Sequence, residues 1–236
     1  MRRVLAAAAL ATPFLVGAGA SSALDEDVVL TFSDPDIVES SGLVVTDDVV
    51  VTANDSGDSA RIFVVDLATG DTLGTVTYDG EGRDVEALAP AGDGRVWVGD
   101  IGDNFAAEDH VEVHRVPIAQ ADSSVEGETF DLAYPDGAKD AEALLAHPVT
   151  DRLYIASKAV LGGGFYAAPK DLDASSTNQL EKIGSDVPGL VTDGAFFPDG
   201  KHLILRNYNQ AFVLAFPSMQ EVGSFSLPAQ AQGEGV

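Results

Sequence analysis

The apolar residues of this chain fall in short runs rich in Val, Ile, Phe and Thr: Val49–Thr52, Arg61–Val65, Thr72–Tyr78, Arg95–Val98, Val111–Val116 and Thr129–Leu132 in the first half. Arg152–Ile155, Gly164–Ala167, Leu180–Ile183, Lys201–Leu205, Phe212–Phe216 and Val222–Leu227 continue the series. β-Branched and aromatic runs bounded by turn residues read as strands. The intervening Thr69-Gly70-Asp71, Asp93-Gly94 and Pro198-Asp199-Gly200 segments supply such turns. Apolar spacing of helical period is confined to the first residues, so the remainder is predicted to be all-β.

The strands belong to a repeat. Five segments share one pattern, polar or acidic residues, then Gly or Ala, then a large apolar residue: Glu39-Ser40-Ser41-Gly42-Leu43, Asp84-Val85-Glu86-Ala87-Leu88, Asp140-Ala141-Glu142-Ala143-Leu144, Thr192-Asp193-Gly194-Ala195-Phe196 and Gln232-Gly233-Glu234-Gly235-Val236. Their spacing is close to the ~40–50 residues of one four-stranded propeller blade. A β-sandwich explains the strands but not the recurrent acidic segment, so the predicted fold is a β-propeller with about four recognisable four-stranded blades and the start of a fifth. That fifth marker predicts a propeller truncated at its C-terminus, because an unclosed ring exposes strand edges. Val28–Phe32 is predicted to be an extra strand completing the last blade.

Residues 1–23 read as a secretory signal: Met1-Arg2-Arg3, then the apolar Val4–Val16 stretch, then small residues at Ala18, Ala20, Ser21 and Ala23. The run is short for a membrane span, and there is no Cys for a lipid anchor. The expectation is a secreted protein with its propeller domain at 24–236 and no membrane anchor after signal removal. With 13 Lys+Arg against 38 Asp+Glu in 236 residues, the formal charge is -25. That charge argues against nucleic acid and anionic membranes as partners and in favour of cations or uncharged groups. The lack of Cys removes disulfides, thiolate metal sites and thiol nucleophiles. No G-x-S-x-G elbow, P-loop or H-E-x-x-H motif is present.

Taken together, Glu39–Leu43, Asn54-Asp55-Ser56-Gly57-Asp58, Asp84–Leu88, Gly99-Asp100-Ile101-Gly102-Asp103-Asn104 and Asp140–Leu144 resemble a group of secreted bacterial propellers related to the esterase-like phytase domain. The resemblance spans most of residues 37–236. It implies calcium sites around a central channel and phosphoester hydrolysis.

The innermost strand of a propeller blade lines the channel, so equivalent repeat positions form a ring. Glu39, Asp84, Glu86, Asp140, Glu142, Asp193 and Glu234 occupy such positions. A ring of carboxylates calls for a counter-ion, and calcium, a hard cation taking six to eight oxygens, suits it. The other open reading is turn-capping by Asp and Glu onto backbone N–H groups. The ends of the second strands form another set: Asn54 and Asp55, Asp100 and Asn104, Lys158, and Arg206. Asp55 and Asp100 extend the metal-ligand candidates, while Asn54, Asn104, Lys158 and Arg206 are candidates for holding an anionic or polar ligand. His110, Glu112 and His114 alternate along one strand, which gives either a metal-binding face or a polar outer one. His147 and His202 show no partner in the sequence.

Two functions follow: a secreted propeller binding module for a small molecule, glycan or protein, with calcium in an acidic channel, or a calcium-dependent ester or phosphoester hydrolase. The first test is export. N-terminal sequencing of the exported protein is expected to begin at Ser21 or Leu24, and an intact Met1 species in the membrane fraction contradicts the signal assignment.

Overall fold

The computed structural model describes residues 28–55, 57–230 and 233–236, and the predicted signal segment lies outside them. Every regular element among these residues is a strand, and the strands form four sheets. Blade 1 contains β1 (Ser40–Val45), β2 (Val49–Asn54), β3 (Arg61–Asp66) and β4 (Thr72–Tyr78). Blade 2 begins with β5 (Val85–Pro90), β6 (Arg95–Asp100) and β7 (Val111–Pro117); β8 (Ser123–Val125) then departs from it, and β9 (Glu128–Ala133) returns. Blade 3 contains β10 (Ala141–Ala146), β11 (Leu153–Ser157), β12 (Phe165–Ala167) and β14 (Glu181–Gly184), with β13 (Asn178–Gln179) leaving it. Blade 4 runs β15 (Asp193–Phe196), β16 (His202–Arg206), β17 (Gln210–Ala215) and β18 (Gln220–Ser226).

Each blade is an antiparallel meander, and consecutive innermost strands stand side by side: β1 against β5, β5 against β10, β10 against β15. This is a four-bladed β-propeller. The second strands read as continuous apolar runs because both their faces are covered by neighbouring blades; β2 is buried at every residue. By contrast β18, the outer strand of blade 4, is exposed along its whole length. Asp93 and Gly94 both take positive φ, 47° and 68°, in the β5–β6 hairpin that the Asp-Gly pair predicts.

Packing between blades supplies the hydrophobic cores. Val51, Ile62 and Val64 of blade 1 meet Leu88, Val96 and Val98 of blade 2. Ile101 and Val113 of blade 2 meet Leu144, Ile155 and Tyr166 of blade 3, and Leu145, Tyr154 and Phe165 of blade 3 meet Leu203, Leu205 and Leu214 of blade 4. The third core adds a ring cluster in which Tyr154, Phe196 and Phe216 meet edge to face. His147 joins them and has partners the sequence does not reveal. Its Nδ1 accepts from the Val149 and Thr150 N–H groups, leaving Nε2–H to donate to the Gly200 carbonyl at 3.0 Å. His202 pairs with Asp199.

Two short parallel strands stitch the blades. The excursion from β7 to β9 lays β8 on β4 of the preceding blade, and the excursion from β12 to β14 lays β13 on β9. Gly74 permits the first of these, since a Cβ there falls 2.4 Å from the Ala121 nitrogen. In blade 4 a tight turn, closed by the Met219 N–H on the Ala215 carbonyl, joins β17 directly to β18.

The segment expected to form a strand completing the last blade forms no strand and goes elsewhere. Ser33 donates from N and Oγ to the Gly70 carbonyl, so the chain after Val28–Phe32 is fixed to the β3–β4 turn of blade 1. The fifth marker lies between the first and last inner strands. Thr192 Oγ1 donates to the Gly233 carbonyl, Val236 N–H donates to Asp193, and a Cβ on Gly235 falls 2.5 Å from Leu43 Cγ.

Leu144 is fully buried between blades 2 and 3. Leu144→Ala is expected to destabilise the protein by about 2–5 kcal/mol in chemical denaturation. Leu73→Ala, at a partly exposed site, is expected to cost under about 1 kcal/mol; equal effects contradict the inter-blade core.

Candidate functional site

A bulge at the start of the inner strands builds the site. Val85 pairs with Asp100 and Ala87 with Gly99, so Glu86 is the extra residue; Ala141 pairs with Ser157 and Ala143 with Ala156, so Glu142 is the extra one. Such a residue is turned out of the regular alternation. Both glutamates are thereby directed to the channel, and both are nearly fully buried. β1 carries the equivalent irregularity between Ser40 and Leu43, with Ser41 at the same place. β15 is regular, Asp193 pairing with Arg206 and Gly194 with Leu205, so Gly194 takes the place of Ala87 and Ala143 and blade 4 has no extra residue to match Glu86 and Glu142.

Carboxylate oxygens of Asp55, Asp84 and Glu86 lie within 4.8 Å of one another. The cost appears in their proton affinities. Burial, reinforced by Asp55, Asp84 and Glu234, pushes the Glu86 carboxyl up to about 9, with Lys158 opposing. Asp84 is also raised, by burial and by its neighbours Asp55 and Asp140. Ser41 Oγ gives its short bond, 2.7 Å, to the Glu86 main-chain carbonyl and only a long one, 3.4 Å, to the carboxylate. A glycine at 102 makes room for this crowding: a Cβ there meets Asp84 Oδ2 at 2.4 Å.

Lys158 brings positive charge close to these carboxylates. Lys158 Nζ forms an ion pair with Glu142 Oε1 and lies 3.2 Å from the Tyr208 hydroxyl. Glu142 Oε2 is buried with no hydrogen-bond partner among the described residues. Asp193 is fully enclosed and its carboxyl is raised well above the usual range by burial, although Gly194 and Val236 donate backbone N–H groups to it.

Other sequence candidates hold backbone. Asn54 Oδ1 accepts from Val38 and Glu39 N–H while its Nδ2 donates to the Asp36 carbonyl and Asp58. Asp100 does the same one blade on, accepting from Arg83 and Asp84 N–H at 2.9 and 2.8 Å. It stands beside Glu112 and His114, in a group separate from Asp55, Asp84 and Glu86. Asp140 accepts from Asp103 N–H, and Asn104 reaches Asp84 at 3.4 Å. Glu39 is exposed, and its carbonyl accepts from Asp55 N–H. Glu234 is buried in the C-terminal segment and adds negative potential at Glu86, Asp193 and Arg206. Arg206, expected as an anion grip, is nearly buried and donates to the carbonyls of Asn207 and Gly235 and to Gln230 Oε1. Tyr208 and Asp103 belong to the site without being singled out by the repeat; only their place in the loops after the second strands marks them.

The far halves of the inner strands carry no such charge. Leu43–Val45, Leu88–Pro90, Leu144–Ala146 and Gly194–Phe196, with Val236, line a cavity of about 510 Å³. Carboxylates therefore gather at the start of the inner strands and apolar side chains at their end, where Asp151 and His147 also border the cavity.

No family model and no curated protein matches the chain. Solved structures share the fold. A gluconolactonase from Xanthomonas campestris superposes with a TM-score of 0.52 at 17% identity, over 83% of this chain and 64% of that one. Hydrazine synthase from Kuenenia stuttgartiensis gives 0.49 at 16%, over 84% and 52%, and the Dos1 propeller 0.46 at 13%, over 80% and 48%. This chain spans less than two thirds of each. At such identities the likeness to the first speaks for the propeller fold alone.

The raised Glu86 carboxyl gives a pH test. In the unfolded chain Glu86 ionises near 4.5 and in the folded one near 9, so the folded state holds the extra proton between those values. Its contribution to stability is complete below the lower value and declines as pH rises toward the upper one. The metal-free protein is expected to lose melting temperature from pH 5 to pH 9, and Glu86→Gln to flatten that decline and be the more stable form at pH 8. Parallel profiles for the two proteins contradict the assignment.

Proposed function

We propose that the protein is a secreted β-propeller binding module whose acidic channel mouth takes calcium and, with Lys158, holds an oxygen-rich small ligand or glycan. One observation carries the reading: three carboxylates with ligand oxygens inside 4.8 Å, one of them buried and strongly resisting ionisation. A divalent cation relieves that repulsion directly. The donor set consists of oxygens alone, which suits a hard cation. Asp55, Asp84 and Glu86 would hold it, with Asp140 adjacent. Glu142 is already matched by Lys158.

Calcium bound to the folded state alone adds RT ln(1 + [L]/Kd), about 2.7 kcal/mol at a hundredfold excess over Kd. It must also displace the Glu86 proton, so affinity rises with pH. Millimolar calcium is expected to raise the melting temperature more than sodium at matched ionic strength. Asp84→Asn with Glu86→Gln is expected to abolish the difference and leave the sodium effect. Identical calcium and sodium responses, or a retained calcium response in the double variant, overturn the metal reading.

A hydrolytic version of the same site is the second reading, favoured by the placement of Lys158 and Tyr208 at the mouth with the carboxylates. A cation there would polarise a carbonyl or phosphoryl oxygen and lower the pKa of a bound water. The phytase-like motifs point to a phosphoester, and the gluconolactonase among the structural neighbours makes a lactone a second substrate to try. Turnover of a lactone, carboxylic ester or phosphoester that EDTA and Glu86→Gln both remove establishes the hydrolase; calcium binding without turnover of any of the three leaves the binding module.

A further inference from the structure

A second group of polar side chains lies in blade 2, on the face that packs against blade 1. Asp100 on β6 and Glu112 on β7 are directly paired across the ladder, so two acids oppose each other, which is unfavourable without a counter-charge. His114 follows two residues after Glu112 on the same face. One ligand atom of each, the His114 ring nitrogen and an oxygen from each carboxylate, falls within 4.8 Å of the other two.

The imidazole is what distinguishes this group from an acidic cluster. His114 is completely buried, and its Nε2 has no hydrogen-bond partner among the described residues. Its Nδ1 lies 2.9 Å from Thr129 Oγ1, and Nε2 faces Glu112 Oε2 at 3.7 Å, beyond hydrogen-bond reach. Burial lowers the pKa of the ring and keeps it neutral. In the tautomer whose Nδ1–H donates to Thr129 Oγ1, the Nε2 lone pair is free. An oxygen acceptor on Nδ1–H is the usual second-shell support of a metal-ligating histidine.

A second orphan lies beside the first. The Tyr78 ring of blade 1 packs on His114 with centroids 5.1 Å apart, and its buried hydroxyl is also without a partner among the described residues. Among the charged groups near that hydroxyl are Asp100, Asp58 and Glu112. Arg83 approaches from the solvent side, placing NH2 2.8 Å from Glu112 Oε1 and NH1 on Glu108. It thereby neutralises one oxygen of Glu112 and leaves Oε2 turned toward His114. Asp100 keeps lone pairs beyond the two that accept from Arg83 and Asp84 N–H.

We propose that Asp100, Glu112 and His114 form a binding site for a divalent first-row transition ion of the zinc class, set into blade 2 where it packs against blade 1. One imidazole nitrogen with two carboxylate oxygens is a borderline donor set, suited to zinc, manganese or iron rather than to calcium. The site is separate from the channel mouth and does not depend on the calcium reading. The alternative occupant of the same space is a water molecule bridging His114 Nε2, Glu112 and the Tyr78 hydroxyl.

Zinc added to chelator-washed protein carrying Asp84→Asn and Glu86→Gln separates these, because that background removes the channel-mouth carboxylates. Calorimetry is expected to show one equivalent bound. Long-range ¹H–¹⁵N spectra of the histidine rings are expected to show the His114 Nε2 resonance moving while His110, His147 and His202 stay. Glu112→Gln, at a partly exposed position that tolerates the change, is expected to weaken zinc about tenfold or more, and His114→Gln to abolish the spectral response where it folds. An unmoved His114 resonance in folded protein with excess zinc assigns the space to water and overturns the proposal. A shift at His110 in its place, or unchanged affinity in Glu112→Gln, overturns it equally.

Discussion

Like charge held at close quarters, away from water, is the constraint on which the working end of this propeller depends. Two bulged glutamates, Glu86 and Glu142, come from adjacent inner strands, and each is compensated differently. Glu142 faces Lys158 and is matched. Glu86 faces Asp55 and Asp84, and its response is to keep its proton. A buried carboxylate that does not ionise freely, and whose cationic neighbour Lys158 is paired with Glu142, is a standing demand for positive charge. The net charge of -25 makes it harder to meet from elsewhere in the protein.

That arrangement is tolerable because the rest of the channel is built differently. Cohesion comes from the three inter-blade cores, in which Leu88, Leu144 and Leu145 project sideways from the inner strands into the adjoining blade interfaces. The parallel strands β8 and β13 then join neighbouring blades at their outer edges. With stability supplied between blades, the axis is left free for groups that detract from it. Polar groups gather at the start of the inner strands, where β1, β5 and β10 bulge, and apolar ones at the end, around the cavity of about 510 Å³.

The fold was legible from the recurring markers because burial on both faces forces the second strands into apolar runs, and the Asp-Gly turns separate them. The acids at the start of the inner strands were legible as a set of equivalent positions, of which Asp84 and Glu86 come together with Asp55. What the repeat does not show is the bulge, since nothing local marks Glu86 as an extra residue; it emerges only when Val85 pairs with Asp100 and Ala87 with Gly99. For the same reason Asn54 and Asp100 look like ligands in sequence, while their carbonyl and carboxylate oxygens hold the chain leading into the inner strand of their own blade. Val28–Phe32 has strand character in sequence but pairs with no sheet, since composition does not encode whether an edge is there to meet it. β8 and β13 are too short to show any period. The partners of His147 escape notice because Gly200 is distant in sequence.

Asp100 connects the two polar regions of blade 2. Its carboxylate accepts from the N–H groups of Arg83 and Asp84, fixing the backbone from which Asp84 reaches the channel mouth, while its position opposite Glu112 places it beside His114. Arg83, held through its N–H, returns its guanidinium to Glu112. A single carboxylate at the end of β6 therefore orders a mouth made of oxygens alone on one side and a pocket containing an imidazole on the other. These differ in hardness, so a cation suited to one is poorly suited to the other, and the division follows from which face of the sheet each side chain takes.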